Sequence, residues 1–144
     1  SMMNVLFVCT GNSCRSQMAE GFLRQLAGDR LGVDSAGLEA HGQNPRAIGV
    51  MDDLGVDIGG QQSTTLSDAH LDWADLVVTV CGDADESCPI LPPGTLKRHW
   101  GLPDPARVRG SEDQIMTAFR AVRDDIRQRV EALVGDIDGG NLER

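Results

Sequence analysis

"NVLFVCTGNSCRSQMAEGFL", residues 4–23, is the stretch whose reading decides the fold. Residues 4–8 are apolar almost throughout, the pattern of a short parallel strand covered on both faces. The run stops at Cys9. Met18, Phe22 and Leu26, with Ala19 and Leu23, then recur at helical spacing and predict a helix of about 12 residues, with Gly28 as its stop. Between strand and helix lies a C-x5-R loop, Cys9 to Arg15. A loop of this length turns successive backbone N–H groups inward, and Gly11 relieves turn geometry that needs positive φ. The helix beginning near Ser16 adds its positive dipole end. Arg15 supplies a planar fork that matches two oxygens of a tetrahedral oxyanion. Thr10, Gly11, Asn12, Ser13, Cys14 and Arg15 therefore read as an oxyanion cradle. The same positive field favours a thiolate at Cys9, and Ser16 is placed to donate a hydrogen bond to that sulfur. A lone C-x5-R also arises by chance, and a cysteine at a strand end is often only a small buried hydrophobe. Strand, loop and amphipathic helix in this order favour the nucleophile.

The rest of the chain bounds what that loop serves. At 144 residues there is room for one well-buried core and too little for two ordinary domains. A composition of 40% hydrophobic and 24% charged residues is that of an ordinary globular domain. The formal net charge of −9 argues against nucleic acid or an anionic membrane as partner. It leaves room for a small anion in a locally positive pocket. No signal peptide is visible and no apolar run approaches the roughly 18 residues of a membrane span, so the expected location is the cytoplasm. Four cysteines in that compartment rest as thiols. Cys9 and Cys14 are five apart and Cys81 and Cys88 seven apart, without a well-spaced histidine, so no metal site is expected.

Further elements follow from local pattern. Val33 to Ala36 reads as a second strand ending at Gly37. Residues 45–54 read as a helix with Pro45 in its first turn, and 55–70 as mostly loop. Residues 76–80 make the clearest strand, which also ends in a cysteine, Cys81; residues 95–100 are a weaker one. Ser111 and Gln114 form a capping-box pattern. Phe119, Val122, Ile126, Val130 and Leu133 then keep one apolar stripe, with Gly135 closing the helix. Residues 1–3 read as an N-terminal extension and 136–144 as a flexible tail. Strands alternating with helices predict one α/β domain, a small four-stranded parallel sheet with helices on both faces. Ligands of such sheets sit at the carboxyl ends of the strands, where Cys9 and Cys81 both fall.

The loop and first helix, "VCTGNSCRSQMAEG" (8–21), resemble those of the low-molecular-weight protein tyrosine phosphatase fold. They are still more similar to the thioredoxin-coupled arsenate reductases built on it. That resemblance continues through "HGQNPRA" (41–47), "DLVVTVCGDADESCPILPP" (75–93) and "HWGLPDPA" (99–106). It implies that Asp104, which from "LPDPA" alone is as readily a turn residue, is the general acid that protonates a departing oxygen. It also implies a relay. Cys81 would attack the adduct of Cys9 with arsenate, and Cys88 would then attack Cys81, leaving a Cys81–Cys88 disulfide for reduced thioredoxin. Phosphate and sulfate would be competing oxyanions, and no bound cofactor is implied. If 82–88 is helical, its seven residues rise about 10.5 Å, and a disulfide needs Cα atoms within about 7 Å, so residues 82–92 are expected to rearrange on oxidation; Pro89, Pro92 and Pro93 argue against a long helix there. Cys14 has no implied redox role.

Two departures bear on the reading. Tyrosine phosphatases of this fold usually carry an aromatic residue after the "DP" of the acid loop, and here Ala106 stands there. Some reductases of the family bind potassium beside the loop. Asn12, Glu20 and Ser35 match three of its ligands, while Thr64 stands where an aspartate is expected. His41, His70 and His99, Trp73 and Trp100 read as structural. The alternatives that remain are a low-molecular-weight phosphatase, which needs only Cys9, Arg15 and Asp104, a non-catalytic redox sensor, and a mycothiol- or glutaredoxin-coupled reductase, whose routes do not need a three-cysteine relay.

Overall fold

The computed structural model describes residues 2–142. Strand β1 (Met3–Cys9) is followed by helix α1 (Arg15–Ala27), β2 (Leu31–Gly37), α2 (Pro45–Asp52), α3 (Asp68–Trp73), β3 (Leu76–Thr79), α4 (Gly82–Glu86), β4 (Leu96–His99) and α5 (Glu112–Asp138). The strands form one parallel sheet in the order β2-β1-β3-β4. Val5, Leu6, Phe7 and Val8 are all fully buried, although successive strand residues face opposite sides. Both faces of the sheet are therefore covered, and the all-apolar strand of the sequence is explained. Met18, Phe22 and Leu23 of α1 and Phe119, Ile126, Val130 and Leu133 of α5 belong to the same core. β4 sits at the sheet edge, where Lys97 and His99 face solvent and discourage further pairing.

The order of strands positions the site. The chain leaves β1 to one side for β2 and returns on the other side for β3, so the order reverses beside β1. A crevice opens at such a switch point, at the carboxyl ends of the strands. Cys9 ends β1 against Gly37 of β2, and Val8 pairs with Thr79 of β3, two residues before Cys81.

Three expectations change. Met3 is a strand residue rather than extension, paired with Leu31; Ser1 lies outside the described residues. Residues 68–70 open a short helix, α3, because Ser67 and His70 close a reciprocal capping box that a loop-rich composition hid. Residues 82–86 form the five-residue α4, short as Pro89, Pro92 and Pro93 led one to expect. Gly135 does not close α5. Val134 and Ile137 still pack on the core, and Asp136 and Asp138 are held by Arg98 (2.8 Å) and Arg30 (2.7 Å), so the helix runs on to Asp138. Residues 143–144 of the expected tail lie outside the described residues.

Candidate active site

The loop between β1 and α1 is shaped from outside. Its carbonyls are claimed by a distant segment: Leu38 N–H donates to Cys9 O (3.0 Å), Glu39 to Thr10 O (2.9 Å), His41 to Gly11 O (2.9 Å) and Asn44 to Ser13 O (3.1 Å). Gln17 Nε2 donates to Asn12 O at 3.1 Å. In a planar trans peptide the following N–H points opposite to the carbonyl. Five carbonyls drawn outward thus turn the N–H groups of residues 10–14 toward the concave side. Asn12, and not Gly11 as expected, takes the loop's left-handed φ, 48°, a conformation asparagine tolerates, and its N–H reaches Cys9 Sγ at 3.1 Å. The first turn of α1 has no side-chain cap, which leaves its positive end to the same concavity.

A buried hydrogen-bond chain fixes the polarity at the sulfur. Asn12 Nδ2 donates to Ser16 Oγ (2.8 Å) and to Ser35 Oγ (2.9 Å), so both hydroxyls accept from the amide. Each keeps its own proton to donate onward. Ser16 Oγ lies 2.7 Å from Cys9 Sγ, placed to donate to a thiolate there, and the Ser35 hydroxyl donates to Glu20 Oε1 at 2.6 Å. Arg24 Nε closes the chain on Glu20 Oε2 at 2.8 Å. Burial pushes the Glu20 carboxyl above its ordinary value, against the hydrogen bonds from Ser35 and Arg24. Thr64 N–H donates to Asn12 Oδ1 at 2.9 Å. Asn12 thus bonds to Ser35 and Ser35 to Glu20, with Arg24 placing a positive charge beside the Glu20 carboxyl. Among the described residues no cluster of three or more His, Cys, Asp or Glu side chains is arranged to hold a metal ion.

Arg15 is 8% exposed and comes from the first turn of α1. Its Nη1 donates to Leu102 O at 3.0 Å and its Nη2 lies 3.6 Å from Asp104 Oδ2. Those contacts tie the guanidinium to the acid loop. Asp104 Oδ1 accepts from Ala106 N–H at 3.0 Å, capping a short 3-10 turn, and the side chain stays partly exposed. Cys9, Arg15, Asp104 and Ala106 share a cavity of about 260 Å³ with His41 and Arg107. A second, of about 420 Å³, shares Thr10, Arg15, Asp104 and Arg107 with it and adds Cys81. No Phe, Trp or Tyr lines either one. The two make one cleft with Cys9 at one end and Cys81 at the other.

Cys81 caps α4: its Sγ accepts from Ala84 N–H at 3.3 Å and lies 3.2 Å from Thr10 Oγ1. Cys88 follows α4 and is half-buried; burial raises its thiol, Lys97 pulls it down and Asp85 pushes it up. All four cysteines are free thiols. Burial pushes the Cys14 thiol up to about 11. Its backbone belongs to the cradle while its sulfur is kept protonated.

Three contributors escaped sequence reading. His41 folds back over Gly11, close enough that a Cβ there would collide with its ring, and pairs with Glu39 at 2.6 Å. Arg107 lines both halves of the cleft, 3.8 Å from Asp104. Gly37 leaves no room for a Cβ beside the loop backbone. His70 and Trp100 are structural as expected: His70 closes the α3 cap, and Trp100 packs 5.7 Å from the Phe7 ring.

Known proteins resemble the chain along most of its length. The model of the family described as low molecular weight phosphotyrosine protein phosphatase matches residues 4–141. An arsenate reductase of Bacillus subtilis (strain 168) is 50% identical over 127 residues, 88% of this chain and 91% of its own. A solved arsenate reductase in the phosphate binding state superposes with a TM-score of 0.78 at 38% identity, over 94% of this chain and 99% of the other. A thioredoxin-dependent arsenate reductase of Corynebacterium glutamicum gives a TM-score of 0.78 at 28% identity, over 96% of this chain and 63% of that one.

Proposed function

The chain belongs to the low molecular weight phosphotyrosine protein phosphatase family, and we propose that within it this member is an arsenate reductase that draws electrons from thioredoxin through Cys9, Cys81 and Cys88. The observation that carries the reading is the cleft itself: the cradle that holds Cys9 also touches a second thiol, with Thr10 Oγ1 3.2 Å from Cys81 Sγ. A phosphatase has no work for that thiol. Similarity to proteins named arsenate reductase supports the substrate, and the Corynebacterium glutamicum protein supports the reductant.

The chemistry follows from the residues. Arsenate enters the cradle, where loop N–H groups and Arg15 take its oxygens. The Cys9 thiolate, steadied by Ser16 and the Asn12 N–H, attacks arsenic. Asp104 protonates the departing oxygen, which leaves as water. The Cys81 thiolate then attacks Cys9 Sγ. The S–As bond breaks with its electron pair on arsenic, so As(V) departs as arsenite and a Cys9–Cys81 disulfide remains. The Cys88 thiolate attacks Cys81 Sγ, Cys9 leaves as thiolate, and the Cys81–Cys88 disulfide is reduced by thioredoxin. Ile90, 99% exposed two residues after Cys88, gives the reductant an apolar contact.

The test is a single turnover. Fully reduced protein with excess arsenate and no external reductant should release one arsenite per chain and lose two thiols, and Cys81→Ser should release none. Absence of arsenite from the wild type, with hydrolysis of aryl phosphate that survives Cys81→Ser, would make the chain a phosphatase.

A further inference from the structure

Helix α4 is a small element with one strong anchor. Of its five residues only Ala84 is buried. Its backbone adds the Asp85 N–H to Cys81 O bond (3.1 Å) and the Ser87 N–H to Asp83 O bond (2.9 Å). The Asp85 side chain, by contrast, is gripped by the sheet. Lys97 Nζ of β4 lies 2.6 Å from Asp85 Oδ1, the hydroxyl of buried Thr79 at the end of β3 lies 3.3 Å away, and His99 Nδ1 lies 3.9 Å away. His99 Nδ1 is also 2.8 Å from Thr79 Oγ1. All three partners stand on strands, so the sheet is fixed and α4 is the part that can leave.

Resting on the relay reading above, we propose that the Asp85–Lys97 ion pair is a latch on α4 that sets the rate of the Cys88 step, with both side chains acting as positioning residues. Closed, the latch keeps α4 wound. Cys81 stays at the helix cap against Thr10, ready for the Cys9 adduct, and Cys88 stays on the far side of the wound helix, two residues beyond Glu86. Open, it lets residues 82–88 unwind so that the two Cα atoms approach within about 7 Å. Lys97 then trades the Asp85 carboxylate for the Cys88 thiolate that attacks Cys81. The exchange needs no external oxidant: the Cys88 proton goes to solvent, the Cys81–Cys88 bond forms, and Cys9 departs with the electron pair. The same ammonium already acts on Cys88 in the closed form, opposing the effects of burial and of Asp85.

The latch is tested without arsenate by the rate at which iodoacetamide labels Cys88 in fully reduced protein at fixed pH, with peptides resolved by mass spectrometry. A partly exposed ion pair is worth a factor of about two to five in an opening equilibrium. Asp85→Asn, which opens the latch and keeps the cation, should label Cys88 about two to five times faster than wild type. Lys97→Met, which opens the latch and removes the cation, should label no faster than wild type, and Lys97→Arg should restore the wild-type rate. Simple loosening of α4 would accelerate Asp85→Asn and Lys97→Met alike, and that result overturns the proposal, as does Asp85→Asn labelling at or below the wild-type rate. In quenched single turnovers the Cys81–Cys88 disulfide should appear in the same order among variants once arsenite has been released. Arsenite release without that disulfide, with the labelling order intact, would refute the Cys88 step of the relay and leave the latch as a control of Cys88 reactivity.

Discussion

Ser16→Ala removes one hydroxyl from a fully buried chain whose direction is known. Asn12 Nδ2 donates to Ser16 Oγ, which leaves the Ser16 proton available to a thiolate at Cys9 Sγ, 2.7 Å away. Charge-assisted hydrogen bonds contribute about 1.5–3 kcal/mol. If that bond is made to the thiolate and carried into the attack on arsenic, its loss lowers kcat/KM by about 10- to 150-fold, at about 1.4 kcal/mol per decade. The alanine also leaves Asn12 Nδ2 with Ser35 as its remaining partner, and an unpaired buried N–H costs about 1–3 kcal/mol of stability. Two assays separate these effects: kcat/KM for arsenate, and the rate of iodoacetamide labelling of Cys9 at fixed pH on protein shown folded by circular dichroism. Both rates should fall together. Labelling at the wild-type rate with kcat/KM within about twofold, a change worth under half a kcal/mol, would refute the polarity assigned to the chain.

Gly37→Ala should damage the cradle from behind. A Cβ there collides with Glu39 O and comes within 2.7 Å of Asn12 N and 2.9 Å of Gly11 C, so backbone must move. Denaturant unfolding should show a loss of about 1–3 kcal/mol, as overpacking does, and titration calorimetry should show phosphate binding weakened along with it. Glu20 gives a pH signature. Its folded carboxyl lies above the ordinary 4.5, chiefly through burial, so the folded state binds the proton more tightly than the unfolded state. Its contribution to stability is fullest below 4.5 and is lost as pH rises through the raised folded value. The melting temperature of wild type minus that of Glu20→Gln should therefore decline as pH rises across that window, and a rise would contradict the sign.

What the sequence displayed was local. Cys9, Arg15 and Ser16 lie within eight consecutive residues, and a strand meeting an amphipathic helix across a short loop leaves few geometries open. The apolar runs at 4–8 and 76–80 located β1 and β3 because both are buried on two faces, where no polar alternation interrupts them. Contacts between distant segments had no such pattern. Residues 38–44 shape the cradle through backbone groups, which carry no side-chain signature. Asn12 was legible as part of the loop, but Glu20 was noticed only through a metal-site resemblance, whereas hydrogen bonds through Ser35 make the two the brace behind the nucleophile. Gly37 and Arg107 matter through what they approach in space, and Asp85 with Lys97 joins positions twelve apart across the edge of a sheet. The helix α3 was hidden because its six residues are set by a cap rather than by periodicity. Gly135 resembled a stop because its neighbours' burial on the core could not be seen.

The most direct test of the three-thiol account is thioredoxin-coupled NADPH oxidation driven by arsenate, for wild type, Cys81→Ser and Cys88→Ser. The account predicts sustained turnover in the wild type and none in either variant, with Cys81→Ser unable to release arsenite at all and Cys88→Ser stopping after one equivalent as a Cys9–Cys81 disulfide. Sustained arsenate-dependent turnover in either variant would contradict it.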